Sequence, residues 1–336
     1  MIPLPEVTAS NKRIAVSLPS GLVAVFVGGT SGIGEYTFLK LATYAVKPRA
    51  YIVGRSREDA DRIIGEGKRM NSGGRFEFIQ ADVSILKNVD DVCRVLKEKE
   101  EAINILFMST GSMAFKKKTA DGLNLPFCLY QHSRTRFVLG LLPLLQRATS
   151  LRRVVSVGAA TLEGVIDLAN ITGEGFPLNQ WRDQGAAIHT LLLEHVAREA
   201  PDVGFVHDVP GVVKSKITRD AEGFGMRLLI AVTGVLGPLI RTPVEETGER
   251  HLFLATSALF PPAKDAAHAG LSFDGRLDAA RGTDGKLGSG VYSVDNKGES
   301  ASTRVEEILA THRKDGTADK VWEIVSGDFK KILGSV

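Results

Sequence analysis

One short stretch, VFVGGTSGIGEY at residues 25–36, constrains this chain more than any other. Val25, Phe26 and Val27 fit a strand, and they run into glycines at 28, 32 and 34, after which the pattern turns helical. Glycines so placed allow a tight turn, a close approach of backbone to ligand, and close packing of helix on sheet. The start of the helix offers unpaired N–H groups and partial positive charge, which suits phosphate. A glycine pattern alone can be an ordinary loop. Its position between a first strand and a helix makes it a nucleotide-site signal.

The same strand-then-helix alternation continues through the first two-thirds of the chain. Segments 22–29, 50–56, 76–83, 103–111, 152–160 and 203–211 read as strands, each nearly continuous in apolar residues, as expected when both sheet faces are covered. Helical patterns lie between them, for example at 129–148 and 186–200, which predicts a doubly wound α/β sheet. No repeat or low-complexity linker divides the 336 residues, so one domain is expected: a nucleotide-binding core at 20–215, a lid at 216–262, and a last strand with a C-terminal helix at 263–336. The apolar run 224–240, broken by Arg227 and Pro238, is too short for a comfortable membrane span. It reads first as a lid over an apolar pocket and second as a membrane-surface contact.

Bulk properties exclude several classes. A net charge of +3 spread along the chain makes no case for nucleic acid, and Lys116–Lys118 reads as a solvated loop. Cys93 and Cys128 have neither metal-ligand nor redox spacing, which suits buried, reduced thiols. The first residues lack the pattern of a signal peptide, so a cytoplasmic protein is expected. Ser156 stands in VVSVG, not in the Gly-x-Ser-x-Gly turn of an α/β-hydrolase.

The end of the second strand says which nucleotide. A fold that binds NAD places an acid there for the ribose hydroxyls, whereas this chain has Arg55, Ser56 and Arg57. A basic residue suits a 2′-phosphate, so NADP(H) is the expected cofactor. The plain alternative is that these arginines are simply exposed.

GGTSGIG, ADV at 81–83, STG at 109–111, RRVVSVG and PGVVKS now stand in order along the chain. Together they resemble the short-chain dehydrogenase/reductase family over residues 20–215 and the last strand, and YQHSRTRFVLGLLPLL, FVHDVPGVVKS and EETGERHLFLATSALF resemble its fungal secondary-metabolism oxidoreductases. The resemblance implies a Rossmann-like sheet and a set of cofactor contacts. Gly28, Thr30, Ser31, Gly32, Ile33 and Gly34 match the phosphate turn; Arg55 and Ser56 match the NADP-selecting corner. Asp82 and Val83 match the pair beside the adenine. Ser109 and Gly111 match the run after the fourth strand, and Pro210, Gly211, Val213 and Ser215 match the nicotinamide side. The helices at 122–148 and 179–199 occupy the places where the family often forms a homodimer.

The departures bear on the chemistry. Ser156 matches the family's catalytic serine, but the Tyr-x-x-x-Lys that should follow is absent. No Tyr lies between Tyr130 and Tyr292, and no Lys between Lys118 and Lys214. The alignment puts Trp181 at the Tyr position and Gly185 at the Lys position. An indole N–H can donate a hydrogen bond but cannot transfer a proton at useful pH. Tyr130 is the first substitute, with a satisfied core tyrosine as its plain reading. His132, Arg134, Asp183 and His189 come next. His189 is rotated roughly 80° from Trp181 on a helix, toward the sheet or a subunit interface. His195 has a structural reading, and His207 and Asp208 sit where ligands bind in such sheets. The leading expectation is an NADP(H)-dependent reductase of a small apolar carbonyl compound. The second is a cyclase, isomerase or dehydratase on the same fold.

Overall fold

The computed structural model describes residues 2–217, 219, 241–272 and 278–336. Among them, seven parallel strands form one sheet in the order β3-β2-β1-β4-β5-β6-β7. These are β1 Val23–Val27, β2 Arg49–Gly54, β3 Arg75–Gln80, β4 Ile105–Met108, β5 Arg153–Val157, β6 Gly204–Asp208 and β7 Val291–Val294. Each central strand is buried along its length, which is why its sequence reads as a continuous apolar run. The observed strands are a few residues shorter than the apolar segments because the trailing residues leave the ladder to form the loops at the carboxyl edge. The expected Rossmann-like sheet is present.

Helices Ile33–Tyr44 and Val244–Thr256 cover one face, packing around Phe26, Phe38, Phe107 and Phe253. Helices Leu86–Lys99, Ser133–Leu145 and Leu178–Glu199 cover the other. The helix after β1 begins at Ile33, inside the glycine turn rather than after Gly34. The C-terminal region holds two helices, Thr303–Lys314 and Thr317–Leu333. The second lays Val321, Val325 and Phe329 against Ile188, Leu191 and Leu192. This face of helix Leu178–Glu199 is thus covered by the chain's own C-terminal helix. The apolar run 224–240 lies outside the described residues. No helix among the described residues is long and apolar enough to cross a membrane.

Register decides which side chains meet. Met108, Ser156, His207 and Ser293 stand in one row across β4, β5, β6 and β7. Side chains in a row share a face, and the next residue along each strand points to the other. Ser156, His207 and Ser293 thus face helix Leu178–Glu199, while Asp208 faces helix Val244–Thr256.

Candidate active site

The carboxyl edge of the sheet carries two structures side by side. The first is the glycine turn. Gly28 has φ 90° and Gly32 has φ 63°, a region open to glycine at little cost. A Cβ on Gly28 would lie 2.9 Å from the Thr110 backbone nitrogen, and one on Gly34 would lie 2.7 Å from the Gly28 carbonyl oxygen. Helix Ile33–Tyr44 starts at Gly32 with no side-chain cap, so its first N–H groups face the turn. Gly32 also meets Ser215, with a virtual Cβ 3.2 Å from the serine Cβ, and Gly111 meets Ile217 in the same way. The loop after β6, with Pro210, Gly211 (φ 69°) and Val213, therefore returns across the turn. Thr30 lies against Gly54 at the end of β2, Ser31 follows it in the turn, and the Ser109 hydroxyl reaches the Gly28 carbonyl at 3.4 Å.

A cleft of about 560 Å³ opens beyond β2 and β3, lined by Arg55, Gln80, Asp82, Asn88 and Asp91. Arg55 is exposed at its rim. The Asp82 carboxylate accepts from the Ser84 N–H and hydroxyl at 3.0 and 2.7 Å, which fixes its orientation, and Val83 is buried behind it. Ser56 has a local task as well: its hydroxyl accepts from Asp59 N and caps helix Arg57–Met70. This cradle fits a dinucleotide, since its glycines leave room only for backbone and its rim carries a cation.

The second structure is a buried polar network. Helix Ser133–Leu145 is preceded by a π-turn, Cys128–His132, a device that recurs at functional sites. It turns Tyr130 inward. The Tyr130 ring lies so close to Gly158 that a Cβ there would be 2.3 Å from its hydroxyl, and it also packs over Gly185. The hydroxyl accepts from Ala159 N at 2.9 Å and stands 2.8 Å from His207 Nε2. On the other side of the imidazole, Nδ1 is 2.8 Å from Thr190 Oγ1, whose hydroxyl donates to Glu163 Oε1 at 2.8 Å. Thr190 therefore accepts from Nδ1–H, which leaves Nε2 to accept the Tyr130 proton. Ser293 also donates to Glu163, at 2.6 Å.

Ser156 belongs to the same network and is fully buried. Arg134 donates to its oxygen at 2.8 Å, and His189 Nε2 lies 2.7 Å away. Gln131 donates to the Gly185 carbonyl, so its own oxygen, 3.3 Å from His189 Nδ1, accepts from that nitrogen. His189 is thus a neutral ring that takes the Ser156 proton. Burial, with His207 and Arg134 nearby, holds it well below the ordinary imidazole range. Arg134 also bonds the Val157 and Thr110 carbonyls and stands 4.8 Å over the Tyr130 ring. Burial lowers its guanidinium to about 10, so it remains a cation at neutral pH. Burial would raise the Glu163 carboxyl, but the neighbouring His207 ring and the Ser293 hydroxyl outweigh that and hold it below its usual value.

Other candidates lie elsewhere. Trp181 packs edge-on against Phe115 at 4.9 Å and beside Gly173. His132 pairs with Asp328, His195 stacks on Trp322, and Asp183 pairs with Arg182. His251 Nε2 is 3.1 Å from the Asp208 carboxylate, yet the alignment makes no hydrogen bond and both carboxylate oxygens lack one. We read that contact as an ion-pair distance only. Sequence reasoning missed Glu163, Thr190 and Ser293. For Ser293 a signal was present: like Ser156 in VVSV and His207 in FVHD, it is a polar residue at the same depth of an otherwise apolar strand, VYSV.

Comparison with known proteins agrees with the fold. The family model described as short chain dehydrogenase matches residues 22–124. The oxidoreductase AN1596 of Emericella nidulans is 35% identical over 329 residues, 96% of each chain. The short-chain dehydrogenase/reductase SAT2 of Stachybotrys chartarum is 29% identical over 341 residues, 93% of each. Two solved structures share the fold at TM-score 0.54: an NADP active-site complex of RhlG from Pseudomonas aeruginosa, 22% identical over 72% of this chain and 91% of that one, and L-sorbose reductase from Gluconobacter frateurii with NADPH and L-sorbose, 17% identical over 75% and 94%.

Proposed function

The chain belongs to the short-chain dehydrogenase/reductase family of oxidoreductases, and from that premise we propose that it is an NADP(H)-dependent reductase of an apolar, polycyclic or polyketide-like carbonyl compound, with Tyr130 as proton donor. The observation that carries the reading is Tyr130 itself. It stands on Ala159 N at the carboxyl edge, with the Arg134 cation 4.8 Å over its ring. Tyr130 and Arg134 are four residues apart on one helical segment, the spacing of the Tyr-x-x-x-Lys pair that the helix after β5 lacks. Burial pushes the phenol up, so it holds its proton at neutral pH, while Arg134 favours the phenolate left when the proton departs. Ser156 acts on this pair by holding the Arg134 guanidinium.

The glycine turn from Gly28 to Gly34 would hold the pyrophosphate, and Arg55 the 2′-phosphate. Asp82 and Val83 would border the adenine, with Ser109, Gly111, Pro210, Gly211 and Ser215 at the nicotinamide end. Bound NADPH supplies the hydride. An apolar substrate suits the aromatic pair Phe115–Trp181, and it suits the exposed Leu178 at the start of its helix and Val165, Val212 and Ile217 on the loops after β5 and β6.

A non-redox step on the same fold is the second reading, favoured by one observation: the Ser156 and Tyr130 hydroxyls both have their bonds within the chain. Titration with NADPH and NADH by tryptophan fluorescence, followed by NADPH oxidation with phenanthrenequinone as an apolar probe, separates the two. Preferential NADPH binding, quinone reduction, and a loss of about a hundredfold in Tyr130→Phe with binding intact are expected. Absent NADPH binding, or an equally fast Tyr130→Phe, overturns the reductase reading.

A further inference from the structure

Tyr130 as proton donor leaves a buried carboxylate without a task. Glu163 has no exposed side-chain surface, and a buried carboxylate is costly unless hydrogen bonds and a nearby positive charge offset its lost hydration. Its bonds lead to Thr190 and Ser293, and through Thr190 to His207 and Tyr130. Four side chains from four segments thus form one unbroken hydrogen-bonded chain, with the proposed donor at one end and a carboxylate at the other.

We propose that His207 is the proton store behind Tyr130, and that Glu163, acting through Thr190, is the positioning residue and counter-charge that lets His207 carry that proton. The proposal rests on the reductase reading and deepens it. In the loaded state both ring nitrogens bear hydrogen: Nδ1–H points to Thr190 and Nε2–H to the Tyr130 oxygen. The imidazolium charge is balanced by Glu163, whose Oε1 is 3.7 Å from Nδ1. During reduction the Tyr130 O–H bond breaks as the substrate O–H bond forms. The His207 Nε2–H bond breaks as a new Tyr130 O–H bond forms. The electron pair of the new C–H bond arrives with the hydride from NADPH. The chain comes to rest with a neutral His207 accepting from Tyr130, which is the bond pattern the structure holds.

The groups around His207 are consistent with this. Glu163 is the acid at its side, the neutral His189 ring lies 5.0 Å from it centre to centre, the Arg134 cation stands over the neighbouring Tyr130 ring, and Asp208 points to the opposite sheet face. Arg134 works against a second positive charge, so the store depends on Glu163. Replacing Thr190 by Val keeps the shape and removes the link.

The test uses the full chain carrying isotope-labelled histidine, with the His207 resonances assigned by their loss in His207→Gln. In the parent, neutral His207 should carry its hydrogen on Nδ1. In Thr190→Val that preference should vanish and the imidazolium should form only at lower pH, while Thr190→Ser restores both. With NADPH and phenanthrenequinone, Thr190→Val should lower kcat about tenfold, leave the NADPH KM unchanged, and move the alkaline fall of the rate to lower pH. Thr190→Ser should again restore the parent profile. A Thr190→Val protein with the parent's tautomer and pH profile overturns the proposal, as do Val and Ser variants that are equally slow. If the parent fails to reduce the quinone but the resonances behave as expected, the reductase reading falls, and the control of the His207 ring by Glu163 through Thr190 stands without it. If the quinone is reduced and the resonances do not move, the opposite holds.

Discussion

The two halves of the carboxyl edge are built from different materials. Around β1 the site is backbone: Gly28, Gly32 and Gly34 bring main chain against main chain, and a single methyl group would close the turn. Around β5 and β6 it is side chain: Tyr130, Arg134, Ser156, His189, Thr190 and His207 exchange bonds in a buried volume with almost every donor aimed at an acceptor. A backbone-built site depends on local conformation and tolerates much variation around it. A side-chain network depends on several distant segments at once, and its members can trade places. The family's tyrosine and its cation are absent from the helix after β5, while a tyrosine and a cation at the same spacing stand on the segment after β4.

The largest effect should come from the backbone half. Gly34→Val places new atoms where even a Cβ would be 2.7 Å from the Gly28 carbonyl and 2.8 Å from Ser109 Oγ. Neither the carbonyl nor the strand behind it can retreat, so the turn must open. We expect NADPH affinity to fall by at least a hundredfold, about 2.7 kcal/mol, with some loss of stability. Gly65→Ala is the matched control, because nothing lies within 4 Å of its virtual Cβ. It should leave binding alone and stabilise helix Arg57–Met70 by up to about 1 kcal/mol. Titration calorimetry and thermal melts of both variants check this contrast. Equal NADPH binding by parent and Gly34→Val would remove the turn from the site.

A smaller effect is expected at the rim, where the site changes from backbone to side chain. Arg55 is exposed beside the cleft, and a screened cation contributes less than a buried one. Arg55→Ala should weaken NADPH about tenfold and leave NADH almost unchanged. Equal losses for the two cofactors, measured by fluorescence titration, would show that Arg55 does not read the 2′-phosphate.

Legibility in the sequence follows the same division. The glycine turn could be read from a dozen consecutive residues because its physics is local, and the strands could be read because burial on both faces leaves an apolar run. The reaction half is split among residues 130–134, 156–163, 189–190, 207 and 293, which only the register of three strands, one π-turn and the packing of a helix bring together. Ser156 was legible as a polar residue in an apolar strand, but nothing in VVSVG says that its hydroxyl is held between Arg134 and His189. Trp181, aligned with the missing tyrosine, instead packs on Phe115 at the start of its helix. The helix at 179–199 was legible as a helical segment, yet that Ile188, Leu191 and Leu192 on it meet this chain's own C-terminal helix is a tertiary fact.

The smallest effect concerns the cost of building a site from buried side chains, and it can be read without any ligand. His189 is neutral in the folded chain, with its protonation depressed chiefly by burial and further by His207 and Arg134. In the unfolded chain the same imidazole titrates near its ordinary value of about 6.5. Below that pH the unfolded state binds a proton that the folded state refuses, so the contribution of His189 is fully present above about pH 6.5 and is lost as pH falls. The slope is at most about 1.4 kcal/mol per pH unit until the folded protein also takes the proton. Denaturant unfolding of the parent and of His189→Asn between mildly acidic and neutral pH should therefore give curves that converge as pH falls. The variant starts lower at neutral pH, having lost the ring's bonds to Ser156 and Gln131, but it lacks this one acid-side slope. Parallel curves would mean that His189 accepts a proton within the fold, and the chain of donors from Arg134 through Ser156 would then have to run in the opposite sense.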